Sequence, residues 1–129
     1  MTVKFTVVPR KDPRDPALPP KYYAAAKSTG RADTNEIAKQ VTRMSTISSA
    51  DTMAMLEAFL TIVPDQLAEG KIVELGEFGT FRISLSSQGS EDADAVSAAN
   101  ISEARVIFTP GRRFKDVLAT LRYQKEAAD

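Results

Sequence analysis

The chain has 129 residues, 43% of them hydrophobic, which is enough for one compact domain with an appendage and too little for two full domains. It contains no cysteine and no histidine, so disulfides, thiolate or imidazole metal sites and Ser-His or Cys-His catalytic relays are excluded. The formal net charge is zero, yet residues 1–31 carry +5, residues 32–109 carry −7 and residues 110–129 carry +2. The two ends of the chain are therefore the parts that would attract a polyanion.

The remaining acidic residues are scattered over positions typical of a protein surface, and no pair faces another across an obvious pocket. We therefore expect a protein that is not an enzyme and that needs no cofactor and no metal. The chain has no run of about 18 apolar residues that would predict a membrane span, and its start, MTVKFTVVPRKDPRD, lacks the apolar block of a secretory signal. The sequence thus predicts a cytoplasmic protein without a membrane contact.

Residues 1–32 predict an N-terminal extension that resembles a β-hairpin. Val3, Phe5 and Val7 alternate with polar neighbours, which is the period of a half-buried strand. The segment RKDPRDPALPP follows, and its four prolines exclude a helix or a central strand, so we expect an extended loop. Residues 21–28 predict a returning strand, although their three consecutive alanines are weak strand formers.

Two helices are predicted next. Asp33 and Glu36 have the pattern of a helix cap, and apolar residues spaced for a helix follow, so a short helix is expected from about 34 to 44. Ser48 and Asp51 repeat the capping pattern, so a longer helix is expected from about 49 to 68, ended by Gly70. Its apolar residues form two adjacent stripes, which cover more of its circumference than one short neighbour can bury. We expect a second chain to cover them, with an interface made of Met53, Leu56, Phe59, Leu60, Val63, Phe78 and Phe81.

From Lys71 the period changes to that of strands. The runs KIVEL and TFRISLS are separated by a turn with two glycines and predict a β-hairpin. Residues 88–100 are small, polar and acidic, which predicts a flexible loop or arm tip. The run ISEARVIFT predicts a third strand, and Pro110 with Gly111 opens a short last helix. We expect residues 122–129 to be a partly frayed tail.

This order of elements, together with the motifs LGEFGTFRI (75–83) and FTPGRRFKDVL (108–118), resembles the HU and integration-host-factor family of bacterial DNA-architectural proteins. The resemblance covers about residues 33–121, including an arm at about 84–104. With the N-terminal extension, the chain looks like the HU-related, histone-like proteins of Bacteroidetes-type bacteria. The resemblance implies an α+β fold with two N-terminal helices, a three-stranded antiparallel sheet with a β-arm and a short C-terminal helix. It also implies an intertwined homodimer in the bacterial nucleoid, whose arms enter the minor groove and bend DNA.

The family's basic residues carry over only in part. The PGK-type motif of the family is matched by Pro110, Gly111, Arg112 and Lys115, and Arg113 adds a positive charge beside them. The arm departs from the family, because residues 86–104 hold four acidic and no basic residues and no proline lies between 65 and 109. Such an arm is repelled by phosphates, so wrapping and wedging are not expected. The expected phosphate-binding residues are Arg112, Arg113, Lys115, Arg82, Arg105, Lys4, Arg10, Lys11, Arg14 and Lys21.

Two functions are compatible with these features. The first is a homodimer that binds double-stranded DNA without sequence preference and shapes it, since nothing resembles a major-groove recognition helix. The second is a structural or protein-interaction module that has kept the HU-like dimer scaffold and no longer wraps DNA. In that case the N-terminal extension could recruit a protein partner by adding a strand to a sheet edge.

Overall fold

The computed structural model describes residues 1–127, and within them the α+β content expected from the sequence is present. Three helices and six strands follow one another along these residues. Their bounds are β1 Thr2–Arg10, β2 Lys21–Lys27, α1 Thr34–Met44, α2 Ser49–Ala68, β3 Val73–Glu74, β4 Gly79–Ser87, β5 Ile101–Pro110, α3 Arg112–Ala119 and β6 Arg122–Lys125. The described residues divide into two compact units, one made of residues 1–33 and 117–127, the other of residues 34–116.

The first unit is built on a three-stranded sheet in the order β2-β1-β6. The predicted hairpin is confirmed: β1 pairs antiparallel with β2 across the Pro-rich loop, in a register that sets Val7 opposite Ala24. The alanines of β2 are accommodated because the pairing with β1 decides their conformation more than their own propensity does. Residues 122–125, expected as part of a frayed tail, instead form β6, which runs parallel to β1 with Val3 opposite Tyr123.

The second unit holds α1, α2 and a sheet in the order β3-β4-β5. Both predicted helices are confirmed at their predicted bounds. The Ser48 hydroxyl accepts a hydrogen bond from the Asp51 amide at 3.2 Å and so caps α2, and Gly70 follows its end with a φ of +86°. The predicted hairpin after Lys71 is present, but β3 is only two residues long.

The arm consists of β4 and β5, which pair antiparallel from Gly79 opposite Pro110 out to Ser87 opposite Ile101. Its tip is more structured than the flexible loop expected from composition. Two single 3₁₀ turns, Ala93–Ala95 and Ala98–Asn100, follow the acidic stretch. The Asn100 side chain closes the tip, because its oxygen accepts from the Ser97 amide at 2.9 Å and its nitrogen donates to the Gln88 carbonyl at 3.2 Å.

The apolar core within one chain is small. Among the described residues, the buried apolar side chains are Ala38 and Leu67, and Thr52 is the buried polar one. Large apolar side chains are exposed in both units, among them Tyr22, Met55, Ile62 and Val106. None of the helices within residues 1–127 combines the length and the apolar character that crossing a bilayer requires.

Candidate nucleic-acid interface

The two sequence motifs that carry the family resemblance pack against each other in a cluster of four phenylalanine rings, here called the aromatic joint. The Phe108 ring lies 4.7 Å from the Phe81 ring, 5.4 Å from Phe114 and 5.8 Å from Phe78, measured between centroids. At Gly79, whose φ is +148°, an added Cβ would lie 2.5 Å from the Phe108 ring, and at Gly111 one would collide with the Glu77 carbonyl. The glycines of both motifs thus allow α3 to approach the sheet closely, and the aromatic residues fill the contact between them.

The basic side chains at the start of α3, Arg112, Arg113 and Lys115, are here called the helix-start cluster. The arginine side chains are about three-quarters exposed, and each has a carboxylate nearby: Asp116 lies 3.8 Å from Arg112, and Glu77 lies 3.6 Å from Arg113. Exposed ion pairs of this length are weak and exchange easily for other anions. Three cations against two carboxylates leave this surface with a modest positive excess.

Two backbone N–H groups at the same helix start already have partners. The Gly111 amide donates to the Phe78 carbonyl at 2.9 Å, and the Arg113 amide donates to the Glu77 carbonyl at 3.0 Å. These bonds satisfy donors that many helix N-termini offer to a phosphate. An anion at this surface would therefore be held mainly by the side chains of the helix-start cluster.

The predicted phosphate-binding residues Arg82 and Arg105 lie on one face of the β4–β5 hairpin, just outside the predicted arm at about 84–104 and so at its base. The register sets Arg82 opposite Ile107 and Ser84 opposite Arg105, so the two arginines are diagonal neighbours on adjacent strands. The Arg105 guanidinium donates to the Ser86 hydroxyl at 2.8 Å. Beyond them, residues 83–104 contain no lysine or arginine. The outer arm is therefore acidic, and three of its four carboxylates, Glu91, Asp92 and Asp94, lie at the tip.

The predicted N-terminal residues divide between a strand face and a loop. Lys4, Arg10 and Lys21 lie on one face of the first sheet, because the register pairs Arg10 with Lys21 and strand side chains alternate. Lys11 and Arg14 belong to the loop, where the Arg14 amide donates to the Asp12 carboxylate at 2.8 Å. Sequence reasoning missed Lys27 and Arg122, which share the face of Lys4. Only the strand register, which pairs residues far apart in the chain, identifies them.

Residues 1–125 match the family described as an HU domain fused to a wHTH, Ig or glycine-rich motif, named HU-HIG. The chain belongs to the HU-HIG family. The match confirms the resemblance to HU-type proteins. It also includes the N-terminal extension, which the resemblance to HU and integration-host factor did not cover. No curated protein matches the chain at a significant level.

The HU-HIG chain is also similar in fold to a solved structure. This is the crystal structure of a candidate bacterial DNA-binding protein from Bacteroides vulgatus ATCC 8482, with a TM-score of 0.68 and 16% sequence identity. The similarity covers 96% of this chain and 47% of the other, so the chain spans about half the length of that protein. At this identity the likeness establishes the fold.

The predicted interface residues of the HU-HIG chain lie in two places. Met53, Leu56 and Val63 of α2 are half-buried within the chain, whereas Phe59 and Leu60 are 44% and 47% exposed. Phe78 and Phe81 belong to the aromatic joint, and Phe78 remains 43% exposed. Among residues 1–127 no group of three potential ligand side chains is arranged to hold a metal ion.

Proposed function

We propose that the chain is a bacterial, nucleoid-associated protein that acts as a homodimer and binds double-stranded DNA without sequence preference. The observation that carries the proposal is the exposed helix-start cluster on the body of an HU-HIG chain, with Arg82 and Arg105 at the base of the arm. Guanidinium and ammonium groups release counterions when they meet phosphates, and this gives affinity without base readout. Nothing in this role requires a cofactor or catalysis.

Dimer formation is supported by the apolar surface of α2. Met55 and Ile62 are 60% and 54% exposed, and they extend the stripe of Phe59 and Leu60. A single exposed apolar side chain needs no explanation, but a stripe along a 20-residue helix is typical of an interface. We expect light scattering to report twice the 14.0 kDa chain mass, and a stable 14.0 kDa species would contradict the dimer.

The arm has a reduced role in this proposal. Its tip carries Glu91, Asp92 and Asp94 and offers neither a cation nor a proline wedge to a minor groove. Contact with DNA then falls to the helix-start cluster and the base of the arm. We expect shallower bending than a basic, proline-tipped arm would produce.

A titration of random-sequence duplex tests DNA binding. Affinity should fall steeply between about 50 and 200 mM salt, and the double variant Arg112→Glu with Lys115→Glu should flatten the log–log salt slope by about 1.8 for each subunit that contacts DNA, which corresponds to two lost phosphate contacts per subunit. The double variant Lys39→Glu with Lys71→Glu makes the same charge change elsewhere on the body and serves as the control. Undetectable binding at low salt would remove the proposal.

A second candidate function, a protein-interaction module on the same scaffold, is favoured by two observations. The outer arm is acidic, and β2 is an edge strand of the first sheet, open to pairing with another chain. A pull-down that retains a defined protein partner with the full chain, and loses it when residues 1–31 are deleted, would support this function. Recovery of nucleic acid alone would count against it.

A further inference from the structure

The first sheet has two chemically different faces. Strand alternation and the register of β1 with β2 and β6 place the even-numbered residues of β1 and β6 and the odd-numbered residues of β2 on one side. We call this side the basic face, because its strand residues include five cations and no carboxylate: Lys4, Arg10, Lys21, Lys27 and Arg122. The opposite face is apolar apart from Lys125 at the end of β6, and five of its side chains line one shallow groove: Val3, Phe5, Ala24, Ala26 and Tyr123.

Side-chain contacts agree with this division. The Arg10 guanidinium lies over the Tyr23 ring, 5.9 Å from its centre, and both belong to the basic face. Lys27 reaches Glu126 just beyond β6 at 3.3 Å. At the loop end of the face, Arg10, Lys11 and Lys21 line a cleft of about 470 Å³ that also contains the Asp12 carboxylate. Cations therefore lie at both ends of the face, and Thr6, Val8, Tyr23 and Ala25 lie between them.

The basic face sets like charges directly against each other. Lys4 lies opposite Lys27, and Arg10 lies opposite Lys21. Like charges in directly opposed positions destabilise a sheet. Glu126 offsets the first pair, but among the ion pairs of residues 1–127 none involves Arg10 or Lys21. An arrangement that weakens the sheet on its own becomes favourable when an external anion lies across it.

The dimensions of the basic face fit the backbone of a duplex. Lys4 and Arg10 are six residues apart in β1, which corresponds to about 20 Å along the strand. One strand of B-DNA carries about six phosphates over that length. Arg10 covers the face of the Tyr23 ring, so this aromatic is occupied and is poorly placed to stack on an unpaired base. Phosphate contact is thus favoured over base stacking.

We propose that the basic face is a second DNA-binding surface, which holds the phosphate backbone of double-stranded DNA independently of the helix-start cluster. It adds Lys27 and Arg122 to the DNA-contacting residues. The inference rests on the proposed function, because it takes duplex DNA as the ligand of the protein. The basic face belongs to the first unit, while Arg112, Arg113 and Lys115 belong to the second, so each unit contributes its own contact.

The test compares two triple variants of the full chain on random-sequence duplex. Lys4→Gln, Arg10→Gln and Lys21→Gln together remove three cations of the basic face. Lys39→Gln, Lys71→Gln and Lys125→Gln remove three cations elsewhere, and Lys125 lies on the opposite face of the same sheet. The first variant should lower affinity at 0.1 M salt by at least about tenfold and flatten the salt slope by about 2.7 for each subunit that contacts DNA, whereas the control should change the slope by less than about one per subunit. The melting temperature of the first variant should stay unchanged or rise, since like-charge repulsion is removed.

A third variant, with Arg112, Arg113 and Lys115 all changed to Gln, separates the two surfaces. We expect it to retain weakened binding that disappears when the three basic-face substitutions are added. If the basic-face variant binds like the control while this variant is weakened, the inference is overturned and the proposed function stands. If the wild type binds no duplex at low salt, both are overturned. A basic-face loss seen with single-stranded and not with double-stranded DNA would also overturn the inference.

Discussion

The arm and the first sheet are both antiparallel β-structures, yet they present opposite charge to a nucleic acid. The arm keeps two arginines near its base, and from residue 83 to 104 it offers only carboxylates and neutral groups. The first sheet gathers five cations on one face. Under our proposal, this HU-HIG chain places its phosphate contacts on the N-terminal extension and the helix-start cluster instead of the outer arm.

The two regions also differ in how they are held. The base of the arm is fixed by the aromatic joint, where Phe108 touches three other rings. The first sheet has no comparable cluster among its described residues, and its apolar face is open to solvent apart from partial cover at Val3 and Phe5. We therefore expect the arm base to depend on side-chain packing and the first sheet to depend more on backbone pairing.

The largest effect should come from removing the centre of the aromatic joint. Phe108→Ala should lower the free energy of unfolding by about 2 to 4 kcal/mol, because a half-buried ring with three aromatic partners is lost. Leu85→Ala, farther out on the arm at a side chain that is 54% exposed, should cost much less. Chemical denaturation measures both, and equal losses would show that the joint does not anchor the arm.

A smaller but decisive effect should follow from reversing the charge of the arm tip. Glu91→Lys, Asp92→Lys and Asp94→Lys together would give the arm the character of the basic face. Affinity for duplex at 0.1 M salt should rise by at least about tenfold, and the salt slope should steepen. Neutral replacements by Gln and Asn at the same positions provide the control and should have a smaller effect. An unchanged affinity in the lysine variant would mean that the arm does not approach DNA even when its charge permits it.

The smallest effect concerns the order of the arm tip. Asn100→Ala removes the bonds to Ser97 and Gln88 and should destabilise the tip locally by about 1 kcal/mol. Hydrogen exchange at the Ser97 amide should accelerate, while exchange in β1 and β2 stays the same. Ser102→Ala, which removes a single 3.2 Å bond to the Ser86 carbonyl, is a matched control on β5. If Ser97 exchanges equally fast before and after Asn100→Ala, the tip is the flexible loop that its composition suggests.

Local signals in the sequence predicted the helices and the hairpin strands well. Ser48 with Asp51, Gly70 and the change of period at Lys71 depend on neighbours within a few residues, and the structure agrees with each. β6 was missed because RYQK is short and polar and pairs with β1 from the other end of the chain. Such long-range pairing has no local signature.

For the candidate site, the sequence predicted which charged residues are present, but it did not predict how they are arranged. The excess of lysine and arginine at both ends was visible in the sequence, and it led to Lys4, Arg10 and Lys21. Which of these share a face depends on a register set across a loop of ten residues, so Lys27 and Arg122 were not identified. The hydrogen bonds made by the Gly111 and Arg113 amides could not be predicted from the sequence either, because their acceptors lie in the turn before β4.

The most direct test of the account is hydrogen exchange of the wild-type chain with and without a saturating random-sequence duplex. We expect the duplex to slow exchange in β1, β2, β6 and residues 111–115, and to leave residues 88–100 unchanged. Slowed exchange at the arm tip, with no change in the first sheet, would contradict the claim that DNA contact lies on the N-terminal extension and the helix-start cluster instead of the outer arm.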